Sequence, residues 1–196
     1  MILDTLFLGI VAYLLGSIPF GVLLARMQNI DLRAHGSGNI GATNAARILG
    51  KKIGLFTLLG DVAKGFLAVY LAHRILGSPL ETAFAGLAAF LGHLYSIFLR
   101  FQGGKGVATA LGIFLFLMPA ATLSAAVVFA IALAASQHVS VGSILASLFL
   151  PLFGILYDSH PAALSVSVLV ALLIFHKHRE NLQRILTGEE APFLKK

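Results

Sequence analysis

The sequence predicts an all-α polytopic membrane protein of seven transmembrane helices, with the N-terminus outside and the C-terminus in the cytosol. Three observations carry this. Hydrophobic residues make up 58% of the 196 and charged residues only 11%, and the mean hydropathy is +0.93, values that belong to an integral membrane protein. Apolar segments of near-membrane length recur from end to end. Threaded through a bilayer, they leave almost every basic residue on one side.

The first segment, near residues 5 to 25, is long enough to span, and the M-I-L-D-T-L ahead of it lacks the positive n-region of a signal peptide. It reads as a retained first helix. Further segments lie near residues 53 to 73, 82 to 100, 107 to 137, 141 to 157 and 161 to 176. As a single helix the fourth would reach about 46 Å, well beyond a hydrocarbon core of about 30 Å. A break near Pro119 makes it two short helices, giving seven spans. Arg26, Arg33, Arg47, Lys51, Lys52, Arg100, Lys105, Lys177, Arg179, Arg184, Lys195 and Lys196 then face the cytosol, and only Arg74 faces out. With a single helix the basic tail would cross the membrane and the bias would largely vanish. No linker, charge block or internal repeat divides the chain, so residues 1–196 are expected to form one domain.

The net charge of +6 is accounted for by this orientation, and nucleic acid is not expected as a partner. The chain has no cysteine, which excludes disulfides, thiolate metal sites and a thioester on the enzyme. No group of carboxylates and histidines has metal-ligand spacing, and no G-x-S-x-G elbow is present. Neither a metal nor a cofactor is expected.

Polar residues gather where the topology places the cytosol. Residues 35 to 47 read H-G-S-G-N-I-G-A-T-N-A-A-R, a glycine-dense turn feeding a helix predicted to start near Ala42. Ser37, Gly38, Asn39, Thr43, Asn44 and Arg47 are the candidate ligands there, since amides at a helix start and a guanidinium suit phosphate. Thr43 and Arg47 at i, i+4, and Asn44 and Arg47 at i, i+3, would share a face. The string matches G-x-G-x-x-G, but without a preceding strand it is no dinucleotide fingerprint. A plain surface turn whose glycines supply positive φ is the alternative; Thr43, Asn44 and Arg47 favour the phosphate reading.

Gly103, Gly104, Lys105 and Gly106 stand before a helix predicted at Val107, a second place where amides and a cation meet. It is no Walker A loop, because Leu99 and Gly106 occupy positions that would need Gly and Ser or Thr. In the tail, His178, Asn181 and Arg184 recur every three residues and can share a helix face, either as a functional group or as a basic face near headgroups. Ser140 and Ser143 lie near a helix start, where N-capping is the ordinary role. Within the membrane, Asp61 and Lys64 are at i, i+3, about 12 and 16 Å below the cytosolic end, and His93 about 10 Å below it. Structural support is the favoured reading: Asp61 neutralises Lys64 and bonds His93, while Gly60, Gly65 and Gly92 permit close helix approach.

The motifs S-I-P-F-G at 17 to 21, G-S-G-N-I-G-A-T-N-A-A-R at 36 to 47, D-V-A-K-G at 61 to 65, G-H at 92 to 93, F-Q-G-G-K-G-V-A-T at 101 to 109 and H-R-E-N at 178 to 181 together resemble the PlsY family. These are bacterial acyl-phosphate-dependent glycerol-3-phosphate acyltransferases of the inner membrane. The resemblance runs nearly the full length and in order. It implies transfer of a fatty acyl group from acyl phosphate to the 1-hydroxyl of glycerol 3-phosphate, giving lysophosphatidic acid and phosphate, at a site facing the cytoplasm. The His-x-x-x-x-Asp pattern of the common glycerolipid acyltransferases is missing.

Both substrates carry phosphate, and two cationic clamps are present to meet them, with membrane lipids beside the acyl chain. Lys105, His178, Asn181 and Asn44 are the expected catalytic residues. Arg47, Lys105 and His178 orient phosphates, while amides of Gly38, Gly104 and Gly106, with Asn44 or Asn181, face the developing oxyanion. Ser37, Asn39, Thr43, Gly103 and Ser143 complete the binding set, and a monomer is the expected working unit. A secondary transporter of a small organic phosphate is the alternative reading, since half-helix N-termini also mark transport sites. The short, nearly uncharged outer loops and the lack of repeats argue against it.

Overall fold

The computed structural model describes residues 2–193. Lys195 and Lys196, part of the charge argument, lie outside the described residues, and among those residues every regular element is helical. The chain divides into two compact units, the first running through Phe116 and the second starting at Leu117.

In the first unit the helices are α1 (Ile2–Ser17), α2 (Phe20–Arg26), α3 (Ala42–Leu49), α4 (Lys51–Leu76), α5 (Pro79–Leu94) and α6 (Val107–Leu117), with short 3-10 turns at Leu32–Ala34 and Ile97–Leu99. The first apolar segment is thus two helices rather than one, bent by 42°. Pro19 is the cause: it lacks an N–H and disfavours helical backbone at Ile18. The break leaves carbonyls in need of donors, and two side chains far along the chain supply them, one from α4 and one from the link after α5. Lys64 Nζ donates to Ile18 O at 2.7 Å, and Ser96 Oγ donates to Ser17 O at 2.6 Å.

α1 lies against α5 and α4, and α4 also carries α2, α3 and α5. The α1–α5 crossing depends on missing side chains: a Cβ on Gly16 would stand 1.9 Å from Ala89 O, and one on Gly92 2.2 Å from Tyr13 O. Small residues let backbones approach in this way where lipid offers no hydrophobic drive. Between α4 and α5 the chain stops and restarts on local signals. Gly77 takes a left-handed φ of 69° and closes α4, then Ser78 caps Glu81 N with Pro79 opening α5.

The second unit consists of α7 (Pro119–Ser136), α8 (Val139–Leu156), α9 (Pro161–Lys177) and α10 (Arg179–Leu186). α8 packs on both α7 and α9, and α9 and α10 meet at a 49° bend. The long apolar run does break at Met118–Pro119, but unevenly. α7 has 18 residues, whereas the 11 residues of α6 cover only about 16 Å. Among the described residues, four helices are long and apolar enough to cross a membrane, or up to six if each bent pair is one span.

Candidate active site

Asn44 organises the first polar loop. It sits on α3, is 2% exposed, and accepts from Ser37 N at 3.0 Å. Its amide nitrogen donates to the carbonyls of Leu32, His35 and Asn39 at 3.2, 3.0 and 2.9 Å. Two amide hydrogens shared among three carbonyls leave nothing for a substrate. Asn44 was expected to contact substrate on the same face as Arg47; instead it faces the loop, while Arg47 is exposed. The loop can wrap this closely because Gly36 has φ 62° and a Cβ there would lie 2.3 Å from Asn44 Oδ1. Asn39 closes a tight turn ahead of α3, its Oδ1 accepting from Gly41 N at 3.1 Å. Beneath the loop, Leu32 packs with Ala25 and Ala45, anchoring its start against α2 and α3. Ser37 and Gly38 are exposed and Thr43 is half-buried.

The G-G-K-G turn is laid on the end of α5. Gly103 N donates to Leu94 O and Gly104 N to His93 O, each at 3.1 Å. A Cβ on Gly103 would stand 2.0 Å from His93 O, and one on Gly104 2.5 Å from His93 Nε2. The Gly104 amide, like that of Gly38, which donates to His35 O, is therefore not an oxyanion donor as the sequence suggested. α6 opens at Val107, directly after Gly106, which is buried and has φ 81°. Lys105 is half-buried beside it.

These two loops meet. A Cβ on Gly104 would also lie 3.2 Å from Ile40 Cγ1, and Ile40 is buried with Val22 and Leu99. Below the junction is a buried polar chain. Lys64 Nζ lies 2.8 Å from Asp61 Oδ1, which is 3.7 Å from His93 Nδ1, and Thr109 Oγ1 on α6 is 3.0 Å from the same His93 nitrogen. Among the described residues, no three of His, Asp or Glu are grouped so as to hold a metal ion.

In the second unit, His178 sits at the α9–α10 bend, 3% exposed, with Nδ1 2.8 Å from Ile174 O. A carbonyl only accepts, so Nδ1 carries the hydrogen and Nε2 of the neutral ring is the basic nitrogen. Ser143 is buried inside α8 and donates to Val139 O at 2.8 Å. Neither Ser140 nor Ser143 is an N-cap, since α8 is entered through His138. Ser140 Oγ and Asn181 Nδ2 both donate to Glu190 Oε1, at 3.2 and 2.5 Å, and Arg184 Nε lies 2.8 Å from Glu190 Oε2.

Against known proteins, the family model described as glycerol-3-phosphate acyltransferase matches residues 6–188. The chain belongs to the glycerol-3-phosphate acyltransferase family. A glycerol-3-phosphate acyltransferase of Geobacter sulfurreducens is 47% identical over 191 residues, 97% of this chain and 98% of that protein. One from Geobacillus kaustophilus is 44% identical, covering 92% of both chains. The crystal structure of PlsY, an integral membrane glycerol 3-phosphate acyltransferase, in its glycerol 3-phosphate form is similar with a TM-score of 0.93 and 42% identity, over 97% of this chain and 96% of that one. The lysophosphatidic acid form gives 0.90 at 41% identity, over 96% and 95%.

The contacts of two residues in this acyltransferase's candidate site were not legible in the sequence. Glu190 stands in a short polar tail with no motif spacing to Asn181 or Ser140, and only the fold brings it to them. Thr109 appears within F-Q-G-G-K-G-V-A-T, but its partner His93 lies sixteen residues earlier. Burial of Glu190 pushes its pKa up. Hydrogen bonds from Arg184 and Asn181, the Arg184 charge and Ser140 outweigh this and hold it below the ordinary value.

Proposed function

We propose that this acyltransferase moves a fatty acyl group from acyl phosphate to the 1-hydroxyl of glycerol 3-phosphate, the first acylation of phospholipid synthesis. The observation that carries the reading is the meeting of the two phosphate-suited loops at Ile40 and Gly104, one leading into α3 with Arg47 and the other carrying Lys105. Two substrates that both bear phosphate match two adjacent cationic turns.

The donor is a mixed anhydride and already activated, so the reaction needs no cofactor and no acyl-enzyme. The glycerol hydroxyl oxygen attacks the acyl carbon, a tetrahedral oxyanion forms, and the bond from acyl carbon to phosphate oxygen breaks. The hydroxyl proton passes to the donor phosphate, which leaves as inorganic phosphate. Arg47 and Lys105, with Ser37, Asn39 and Thr43 at the first loop, hold and orient phosphate, and such orientation removes several kcal/mol of barrier. The Gly106 amide faces developing charge. Gly38, Gly103 and Gly104 act through the shape of their turns, and Asn44 by holding the first loop. His178, with Ser143 and Asn181 in the same unit, serves the same reaction as a phosphate partner, and its Nε2 is the second candidate for the proton. Asp61, Lys64 and His93 give polar support inside the membrane.

The same reading places the enzyme as a monomeric, single catalytic domain in the bacterial inner membrane, among membrane lipids. It has seven spans, the N-terminus outside and the active face in the cytoplasm. The one-sided basic residues support it. A reporter fused after Lys196 should be active only in the cytosol.

The deciding experiment supplies purified protein with acyl phosphate and glycerol 3-phosphate and follows phosphate release and lysophosphatidic acid together. Equimolar release of both is expected. Folded protein that releases neither would remove the enzyme reading, and uptake of glycerol 3-phosphate into vesicles without acylation would favour a transporter.

A further inference from the structure

The polar chain inside the membrane ends on the G-G-K-G turn, and this gives one member a specific task. His93 touches the turn twice. Its carbonyl accepts the Gly104 amide at 3.1 Å, and its ring presents Nε2 at 2.5 Å from where a Gly104 Cβ would be. The ring's other nitrogen is fixed from two helices: Thr109 Oγ1 of α6 at 3.0 Å and Asp61 Oδ1 of α4 at 3.7 Å. Asp61 is in turn held by Lys64, whose Nζ also bonds the Ile18 carbonyl freed by Pro19. At 4% exposed, the imidazole has no room to change rotamer without moving one of these neighbours.

Helix packing alone does not need this arrangement, since an apolar residue at 93 would fill the space without hydrogen bonds. What the ring adds is a rigid edge against which the Gly104 backbone rests, one residue before Lys105. We propose that His93 is a positioning residue for the reaction: its ring sets the height of the G-G-K-G turn, and so the place where Lys105 and the Gly106 amide meet phosphate. The proposal rests on the reading of this turn as a phosphate clamp. His93 itself touches no substrate.

The contact at Gly104 makes the test a paired one. His93→Asn retains an amide on the Nδ1 side for Thr109 but removes the Nε2 edge, while His93→Gln places a polar atom near the Nε2 position. Gly104→Ala drives a methyl into the ring of the intact protein, a collision that His93→Asn relieves. In purified protein, KM and kcat for both substrates are measured alongside the Tm. His93→Asn is expected to raise the KM of one phosphate substrate by about tenfold, with a near-normal Tm and the smaller effect on kcat. His93→Gln should recover most of that affinity. Gly104→Ala should be impaired in the His93 background and distinctly less so in His93→Asn, a non-additive pair.

Normal KM values in His93→Asn, additive losses in the double variant, or a loss of activity that follows a loss of fold would each overturn the proposal. Wild-type protein that is folded but releases no phosphate would instead remove the functional reading, so the two failures are told apart by the unmutated enzyme.

Discussion

Asn181 and Glu190 are joined by a 2.5 Å hydrogen bond from Nδ2 to Oε1, and through it the tail of the protein is fastened to a residue of the candidate site. The fastening is multiple. Arg184 holds the other carboxylate oxygen, the Arg184 carbonyl accepts the amides of Glu189 and Glu190 at 2.7 and 3.1 Å, and Phe193 N donates to Gln137 O at 2.8 Å. The sequence offered Asn181 as a substrate contact; the structure adds that its orientation is set by a carboxylate nine residues away.

Glu190→Ala should therefore lower kcat/KM through Asn181, leave the Tm shift small and expose residues 188 to 193 to protease. A pH effect accompanies it. The Glu190 pKa lies below the usual 4.5, so its contribution is complete above that value and is lost as pH falls through the lower folded one. Protease cleavage of the tail should increase as pH is taken from about 6 to about 3. In Glu190→Gln the titrating carboxylate is gone, while the His138 ring still meets the Glu190 carbonyl, 3.0 Å away in the native chain. A tail whose cleavage has the same pH dependence in that variant would refute the assignment.

Asn44→Asp tests whether this residue shapes the loop or binds substrate. The substitution keeps an oxygen for Ser37 N but sets a carboxylate against the carbonyls of Leu32, His35 and Asn39. Each buried acceptor left without its donor costs about 1–3 kcal/mol. The expected result is loss of activity by more than about tenfold, with new protease sensitivity across residues 33 to 41 and a largely unchanged global Tm. If the loop stayed protected and only KM rose, Asn44 would be a direct ligand after all.

The parts of this site that were legible in the sequence are those whose chemistry is local. A glycine run ahead of a lysine and a helix start can be read from adjacent residues, and so can the Asp61–Lys64 spacing. The role of Asn44 was not legible, because its partners at 32, 35 and 39 approach only after Gly36 and Gly38 turn through positive φ. Pro19 stands in S-I-P-F-G, yet the segment reads as one helix in sequence, because the donors that satisfy the carbonyls freed by the break come from positions 64 and 96. Apolar segments located the long helices, while the first segment reads as one helix where the fold bends it into two, and α6 has 11 residues where the charge bias calls for a full span.

The Lys64 and Asp61 pair gives a prediction about stability. Both side chains are 3% exposed and 2.8 Å apart. Lys64→Met leaves the Asp61 carboxylate without its cation and the Ile18 carbonyl without its donor, a loss of about 3–5 kcal/mol. Lys64→Met combined with Asp61→Leu removes the stranded charge and should recover a large part of that loss in thermal unfolding. Recovery is expected to be incomplete, because Ile18 O still lacks a donor and His93 loses one neighbour. Equal Tm values for the single and double variants would show that the pair's charges are not coupled.

His178→Gln separates two routes for the hydroxyl proton. The native ring donates through Nδ1 to Ile174 O, so only Nε2 can take a proton from a neutral state. Glutamine can hold a polar atom near that position but cannot act as a base at any working pH. If the donor phosphate takes the proton, the variant loses phosphate orientation: KM rises, and kcat at saturation falls by less than about tenfold. If Nε2 is the base, kcat falls by about 100-fold or more while both substrates still bind, since general base catalysis contributes about that much. Measuring substrate affinity by calorimetry beside the steady-state constants distinguishes the cases. The substrate-assisted route predicts the first pattern, and complete loss of turnover with intact affinity would assign the proton to His178.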